Sequence, residues 1–174
     1  GGHSSLPPKD PPAEILAAAI SKIHDHPFET RMTQPLQDFI DYVGPEMRQP
    51  FRTLFANSSI FRPVIFNEYK KIAGANAMIR TTAVTTILTG GSKENAIPDQ
   101  VHAVINVRLL QGDDSYKIKE DLETIIGDSR VEVKQSEVVN EPSPISSASS
   151  AGFKLIDASV RKVFPDVFIR CSDG

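Results

Sequence analysis

The first strong pattern along the chain is helical. Between residues 10 and 25, apolar side chains recur at the spacing of one helix face, at Ile15, Leu16, Ala19, Ile20 and Ile23. Asp10 and Pro11 come before this stripe; aspartate is a preferred N-cap, and proline suits the first helical position. The pattern therefore predicts an amphipathic helix that Asp10 caps.

A second helical pattern runs from Thr33 to about Ala73, but it is interrupted. One apolar stripe precedes Gly44-Pro45, and a second lies around Phe51 and Phe55. Pro50 and Pro63 should limit these helices to short pieces, because proline removes a backbone donor. Most of the nine phenylalanines lie in or next to this stretch, which predicts a helical insert with its own small core.

The period then changes to that of strands. Residues 77–89 are rich in threonine, valine and isoleucine and predict a strand that ends at Gly90-Gly91. Residues 99–110 predict a second strand with a wholly apolar face, formed by Val101, Ala103, Ile105, Val107 and Leu109. We expect helices to cover that face. The opposite face is mixed, carries His102 and Arg108, and should meet water, a cleft or a partner.

The rest of the chain completes an α+β pattern. Residues 113–127 predict an amphipathic helix that ends at Gly127, with Asp113-Asp114 as a cap rather than a catalytic carboxylate pair. A third strand is predicted over residues 130–140, a proline- and serine-rich connector after it, a helix over 151–164 and a short strand over 166–171. Together these elements predict an antiparallel sheet with helices on one face, plus the helical insert.

Composition and charge narrow the class of protein. The chain has 174 residues, 40% of them hydrophobic and 24% charged, which fits one globular domain or one domain with part of a second. A net charge of -3 argues against nucleic-acid and membrane partners. No apolar run approaches the roughly 18 residues of a membrane-spanning helix. We expect a soluble protein whose compartment the sequence does not specify, any N-terminal signal of a longer parent being out of view.

Cysteine and histidine define the candidate chemistry. A single cysteine, Cys171, excludes an internal disulfide and a multi-cysteine metal site. His24-Asp25-His26 falls at a helix end, where alternate side chains diverge, so we expect no metal ligands there. His3 lies in GGHSSLPP, which glycine and proline make a loop. A histidine there is either a ligand or donor for something that the backbone approaches, or a surface residue, and the loop alone does not decide between them.

Three motifs resemble one family. GGHSSLPP, RTTAVTTILTGGSKENAIPDQVHAVINVRLL and the later RVEV are similar, in this order, to the lid (dimerisation) domain of the zinc aminoacylase and carboxypeptidase family. The insert is similar to its carboxypeptidase S and N-acyl amino acid hydrolase branch. The resemblance implies a ferredoxin-like lid over residues 1–141, with the insert at 33–76 and a further strand before Gly1. It also implies that residues 142–174 are a connector and the start of a return into a catalytic domain absent from this chain.

The resemblance assigns roles to three residues. His3 matches a lid histidine that reaches into the partner subunit's active site and polarises the scissile carbonyl. Asn95 matches an asparagine that binds near the same carbonyl, and Arg108 matches an arginine that holds the substrate carboxylate. These roles suit the side chains, since a ring N–H donates to an oxyanion and a guanidinium pairs with a carboxylate through two bonds. Taken alone, Asn95 is better explained as a turn residue before Pro98, and Arg108 as a solvated charge on a strand face.

The family further implies two zinc ions, held by the absent catalytic domain, and a homodimer. The whole enzyme would cleave the amide bond next to a free carboxylate in short peptides or N-acyl amino acids, and this fragment alone should be inactive. His102 shares a strand face with Arg108 and is a candidate to line the cleft, although a plain surface histidine is the favoured interpretation. The alternatives are a non-catalytic α+β dimerisation or interaction module without substrate contacts, and an RNA-binding module, which the net charge and the absence of paired aromatics disfavour.

Overall fold

A computed structural model describes residues 2–146 and 149–165 of the chain. Among these residues the helices are α1 (Pro12–Asp25), α2 (Gln34–Val43), α3 (Phe51–Ala56), α4 (Ser58–Lys70), α5 (Ala73–Asn76), α6 (Ser115–Ile126) and α7 (Ala151–Val163), with a short 3-10 helix at Gly44–Glu46. The strands are β1 (Gly2–His3), β2 (Thr82–Thr89), β3 (Ala96–Ile97) and β4 (His102–Arg108). The predicted α+β class is confirmed. The strand predicted over 166–171, and Cys171 within it, lie outside the described residues.

These elements form two compact units. The first comprises the described residues of 1–29 together with 81–141, and it contains the four strands with α1 and α6. The second comprises 30–80 and the described residues of 142–174, and it contains α2 to α5 and α7. The role of 142–174 as a connector into a catalytic domain stays a prediction.

The first unit contains two antiparallel strand pairs. In one of them, β2 pairs with β4, with Thr82 opposite Arg108 and Val84 opposite Asn106. The register shifts between Thr85 and Ile87, so Ile87 lies opposite Val104. Because directly opposed residues share a face, this register decides which side chains are covered. The other pair is the short ladder of β1 and β3.

Two helices cover one face of the β2–β4 pair. The buried side chains of α1 and α6 form a cluster with half-buried residues of the sheet, and this first core consists of Ala19, Ile23, Ile118, Leu122 and Ile126, packed against Ala83, Ile105, Val107 and Leu109 among others. The predicted apolar face of β4 therefore carries helices, as expected. Val101 and Ala103 are half-buried but lie outside this cluster.

The second unit has a core of its own. It joins α2, α3 and α4 through the buried residues Leu36, Ile40, Phe55, Ile65, Phe66 and Ile79. Pro63 was expected to end a helix, and that prediction is wrong, because α4 continues through it. An internal proline costs about 3 kcal/mol. Burial of Ile65 and Phe66 beyond it offsets that cost, at roughly 1.5 to 3 kcal/mol for each large side chain.

Two predicted strands need correction. β2 begins at Thr82 rather than near Ala77, because Ile79 is fully buried in the second core and does not join the strand. The strand predicted over residues 130–140 is wrong. Val131 and Val133 do pack against the first core, which explains their alternation. However, the segment forms no backbone ladder with any described strand, and alternating burial without a ladder is not a strand.

The helix ends follow the sequence in α6 but not in α1. Asp114 caps α6 by accepting from the Lys117 N–H at 3.0 Å, and Gly127 ends it with a φ of 55°, which glycine adopts without strain. The predicted Asp10 cap of α1 is wrong, because Pro11 occupies the cap position. Asp10 accepts instead from Arg130, at 3.1 Å.

Thr81 holds the start of β2 against the loop that follows β4. It is 2% exposed, and its hydroxyl accepts from the Leu110 N–H at 2.7 Å. The same hydroxyl donates to the Asp113 carboxylate. Asp113 is thus a partner of Thr81, and Asp114 is the N-cap of α6.

Replacing Thr81 by valine should therefore destabilise the protein. The variant keeps the side-chain shape but leaves a buried N–H without this acceptor, which costs about 1 to 3 kcal/mol in the free energy of unfolding. Urea unfolding measures it. The matched control is Thr82→Val, on the open sheet face, which should stay within about 0.5 kcal/mol of the wild type. Equal stability of the two variants would contradict the role of Thr81.

A second polar network joins the start of α1 to the loop after α6. Arg130 donates to Asp128 through Nε at 2.9 Å and Nη2 at 2.7 Å, and through Nη1 to Asp10. The side-chain hydrogen bonds from Arg130 hold the pKa of Asp128 well below its ordinary value. A carboxylate with a lowered pKa in the folded state stabilises the protein above its unfolded pKa and stops doing so as the pH falls.

Arg130→Met should consequently lower the melting temperature most near neutral pH. The difference from the wild type should begin to shrink below about pH 4, where Asp128 of the unfolded chain becomes protonated, and should vanish only as the pH falls through the lowered pKa of Asp128 in the folded wild type. Thermal unfolding across that range is the measurement. Lys134→Met removes an exposed ion pair with Glu132 and should change stability little, so it serves as the control. A difference between wild type and Arg130→Met that stays constant with pH would contradict the Asp128 linkage.

Candidate functional site

His3 ends β1 and begins a tight turn. Its carbonyl accepts from the Leu6 N–H at 3.0 Å, which closes a turn over residues 3–6. The side chain is exposed. The predicted loop is therefore an ordered turn with the imidazole at its start.

The structure brings Asn95 next to this turn. β1 and β3 pair antiparallel with His3 opposite Ala96, and the Ser4 N–H donates to the Asn95 carbonyl at 3.0 Å. Asn95 is exposed, and its side-chain amide makes no hydrogen bond within the described part of the chain. Two residues that the resemblance placed at one substrate carbonyl are thus neighbours, although the sequence separates them widely.

The imidazole of His3 has a local partner that the sequence reasoning missed. The Ser5 N–H donates to His3 Nδ1 at 3.2 Å, and the Ser5 hydroxyl lies 2.8 Å from the same nitrogen. The available signal was a serine two residues after a loop histidine, a spacing at which side chain and backbone meet in a turn.

Arg108 lies in the other sheet, at the carboxyl end of β4. It is exposed and stands opposite Thr82 on the face that the helices leave open. Within the described residues its guanidinium has neither an ion pair nor a hydrogen bond, and none joins it to His3 or Asn95. A free, planar fork of donors at an open face is suited to a carboxylate.

The open face of the β2–β4 pair has an apolar centre. Val84, Ile87 and Val104 are 58%, 52% and 50% exposed, and the strand register places Asn106 and Thr89 on the same face. His102 lies on the same face, opposite Thr89 and at the far end of β4 from Arg108. Three neighbouring apolar side chains in water on one sheet face are typical of a surface that another protein surface covers.

No metal centre is found in the part of the chain that the structure describes. There, histidine, cysteine, aspartate and glutamate side chains do not come together in groups of three or more that could hold an ion. His26 Nδ1 donates to the Lys22 carbonyl at 2.8 Å, so this nitrogen is already used. The chemistry that the candidate residues offer is donation of N–H groups, from an imidazole, an amide and a guanidinium.

Comparison with known proteins decides the family. Residues 1–134 match the family model described as the peptidase dimerisation domain. The chain belongs to this family. The match covers both strand pairs and α6, and with them the three residues His3, Asn95 and Arg108, so the resemblance found in the sequence is confirmed.

The relatives point to the same branch. A probable carboxypeptidase S-like 2 of Dictyostelium discoideum is 35% identical over 97% of this chain and 32% of its own length. The N-fatty-acyl-amino acid synthase/hydrolase PM20D1 of Mus musculus is 30% identical over 97% of this chain and 34% of its own length. The human protein of that name is 31% identical over the same shares.

These relatives are much longer than the chain, which spans about a third of their length. No solved structure gives a significant match. Among the described residues, no helix is both long and apolar enough to cross a membrane.

Proposed function

We propose that this domain is the lid of a zinc-dependent exopeptidase or amidohydrolase. The full-length protein would cleave the amide bond next to a free carboxylate in short peptides or N-acyl amino acids. The observation that carries the proposal is the β1–β3 ladder, which sets the His3 turn beside Asn95 in a family of peptidase dimerisation domains. Relatives named carboxypeptidase S-like and N-fatty-acyl-amino acid synthase/hydrolase support this substrate class.

His3 and Asn95 act on the scissile carbonyl in this proposal. Both side chains are exposed, and within the described residues His3 Nε2 and the Asn95 side-chain amide have no hydrogen-bond partner. An N–H donor aimed at the carbonyl oxygen stabilises the negative charge that develops there in the transition state. His3 serves the partner subunit's active site, and Asn95 supports the same oxygen.

Arg108 is the clamp for the substrate carboxylate. Its guanidinium is unpaired within the described residues and stands on the open face of the sheet. When substrate binds between the Arg108 end of this face and the catalytic domain, water is excluded there and the charge-assisted pair becomes stronger than an exposed one. A clamp of this kind makes binding depend on the free carboxylate of the substrate, whichever side chain the substrate carries.

The homodimer rests on two supports. The family model is a dimerisation domain, and the open face exposes Val84, Ile87 and Val104. Burial of such apolar surface favours association. In the full-length protein two lids pair, and each presents His3 to the other subunit.

Zinc enters the proposal only through the rest of the protein. In this proposal its ligands belong to the catalytic domain, and the described residues of this chain contain no group of three or more histidine, cysteine, aspartate or glutamate side chains that could hold an ion. A bound zinc ion supplies a water of lowered pKa for attack on the amide. This chain contributes donors and a clamp, and we expect it to hydrolyse nothing by itself.

The second candidate is a dimerisation module without substrate contacts. The exposed apolar centre of the sheet face favours it, since that surface is explained by association alone. The two candidates differ in what His3 and Arg108 do. Only the lid proposal makes turnover depend on them.

His3→Ala in the full-length protein should lower kcat about a hundredfold or more, because an oxyanion donor is lost. Zinc content should stay unchanged. Steady-state kinetics with metal analysis measures both, and His24→Ala, which removes an exposed histidine of α1, is the matched control. Normal turnover of the His3 variant with full metal would return His3 to a surface role. A monomeric full-length protein by light scattering would exclude its cross-subunit action.

Arg108→Ala should lower kcat/KM for a free-acid substrate, because a desolvated ion pair is lost. The decrease should correspond to a loss of about 2 to 5 kcal/mol in transition-state stabilisation. The reduction should largely vanish for the same substrate with its carboxylate amidated. Arg62→Ala, at an exposed arginine of the second unit, should leave both values unchanged. If wild type and Arg108→Ala discriminate equally between the two substrates, Arg108 is not the clamp.

A further inference from the structure

We propose that Ser5 is a positioning residue that holds the His3 ring in the tautomer with its proton on Nε2. Ser5 contacts Nδ1, so the other ring nitrogen, Nε2, carries the proton. Its use in turnover rests on the proposed function, whereas the tautomer itself is a property of this turn. Neither the family description nor the names of the relatives assign a role to Ser5.

The first step is the direction of the backbone hydrogen bond. The Ser5 N–H lies 3.2 Å from His3 Nδ1 and can only donate. Nδ1 must therefore present its lone pair. In a neutral imidazole, a lone pair on Nδ1 means that the proton is on Nε2.

The second step is the Ser5 hydroxyl. Its oxygen lies 2.8 Å from the same Nδ1, and a hydroxyl is able to donate or accept. Because the backbone N–H already fixes Nδ1 as an acceptor, the hydroxyl must donate as well. Both polar groups of Ser5 then favour one tautomer, and they orient the ring in the turn.

The third step is the order of the turn itself. The Leu6 N–H donates to the His3 carbonyl, and the Ser4 N–H donates to the Asn95 carbonyl, each at 3.0 Å. These bonds flank Ser5 on both sides and hold its N–H toward the ring. The ladder that places Asn95 beside the turn thus also sets the ring contact.

The fourth step is what remains on the other side of the ring. His3 Nε2 has no hydrogen-bond partner within the described residues. Its N–H is a free donor at an exposed position, which is the group that donation to a substrate carbonyl requires. With the other tautomer, the same nitrogen would present a lone pair and repel a developing oxyanion.

A second histidine in the chain has the opposite arrangement. His26 Nδ1 lies 2.8 Å from the Lys22 carbonyl, which can only accept, so this nitrogen carries the proton. The imidazoles of His24 and His102 are exposed and make no hydrogen bond within the described residues. We therefore expect the Nε2–H tautomer for His3 and the Nδ1–H tautomer for His26. His24 and His102, whose imidazoles have no partner within the described residues, serve as references for the tautomer ratio.

The decisive experiment is long-range proton–nitrogen correlation of the ¹⁵N-histidine-labelled 174-residue chain. Spectra are recorded at about pH 9, where histidine is ordinarily neutral. His3→Gln assigns the His3 signals. We expect a larger share of the Nε2–H tautomer for His3 than for His24 and His102, and a smaller share for His26. The same tautomer ratio for His3 as for the two references would overturn the inference.

Variants of Ser5, with Ser4→Ala as the control, test the contribution of the Ser5 hydroxyl apart from that of its backbone N–H. Ser5→Ala keeps the backbone N–H and removes the hydroxyl, so the share of the Nε2–H tautomer should fall part of the way to the references. Ser4→Ala is the matched control, because the Ser4 hydroxyl has no partner within the described residues. Ser5→Thr keeps the hydroxyl and should restore the wild-type ratio. A Ser5→Ala ratio equal to that of Ser4→Ala would remove the hydroxyl from the inference.

Kinetics of the full-length protein provides a readout that does not depend on spectra of the chain. Ser5→Ala should lower kcat about threefold to tenfold, the effect of one hydrogen bond, with little change in KM. Ser5→Thr should recover it, and Ser4→Ala should match the wild type. Equal kcat for the two alanine variants would overturn the role of Ser5 in turnover. If His3 shows the Nε2–H tautomer but His3→Ala turns over normally, the proposed function fails while the tautomer assignment stands.

Discussion

The strict alternation of apolar side chains along β4 is the constraint on which the first unit depends. Ile105 and Val107 must leave water, and α1 and α6 cover them with Ile23, Ile118 and Leu122. Because a strand turns successive side chains to opposite faces, covering Val107 leaves Arg108 uncovered. The position of the candidate clamp therefore follows from the packing of its neighbour. A register shift of one residue would exchange the two and expose the core.

The candidate donors depend on a different interaction, which is non-local. His3 and Asn95 are adjacent because β1 and β3 pair and because the Ser4 N–H reaches the Asn95 carbonyl. Each of these strands has only two residues, which is too short for the alternation of apolar and polar residues that identifies a strand in a sequence. The motifs GGHSSLPP and NAIP suggested, only through resemblance, that His3 and Asn95 act at one substrate carbonyl, and they did not suggest the strand pairing. The contact between Ser5 and the imidazole was missed, since a turn must be formed before its N–H has a direction.

What the sequence predicted well was decided by local chemistry. The apolar stripe of α1, the Asp114 cap and Gly127 stop of α6, and the exposed Arg108 all follow from spacing and residue type. What it missed was decided by packing over longer distances. The alternation of Val131 and Val133 was real, but it reports burial against the helices rather than membership of a ladder. Ile79 has strand propensity, yet a second core withdraws it from β2.

This division of causes explains where in the domain the candidate donors lie. The apolar side chains of the domain's helices and of its covered sheet face pack in the two cores, where a charged side chain would be costly. The candidate polar residues lie where the chain is exposed, namely in the turn after β1, in the segment before β3 and on the open sheet face. Those places offer N–H groups to an anion or a carbonyl from one side only. A substrate held from one side needs a second surface, so the domain's chemistry is complete only against the catalytic domain that we propose covers it.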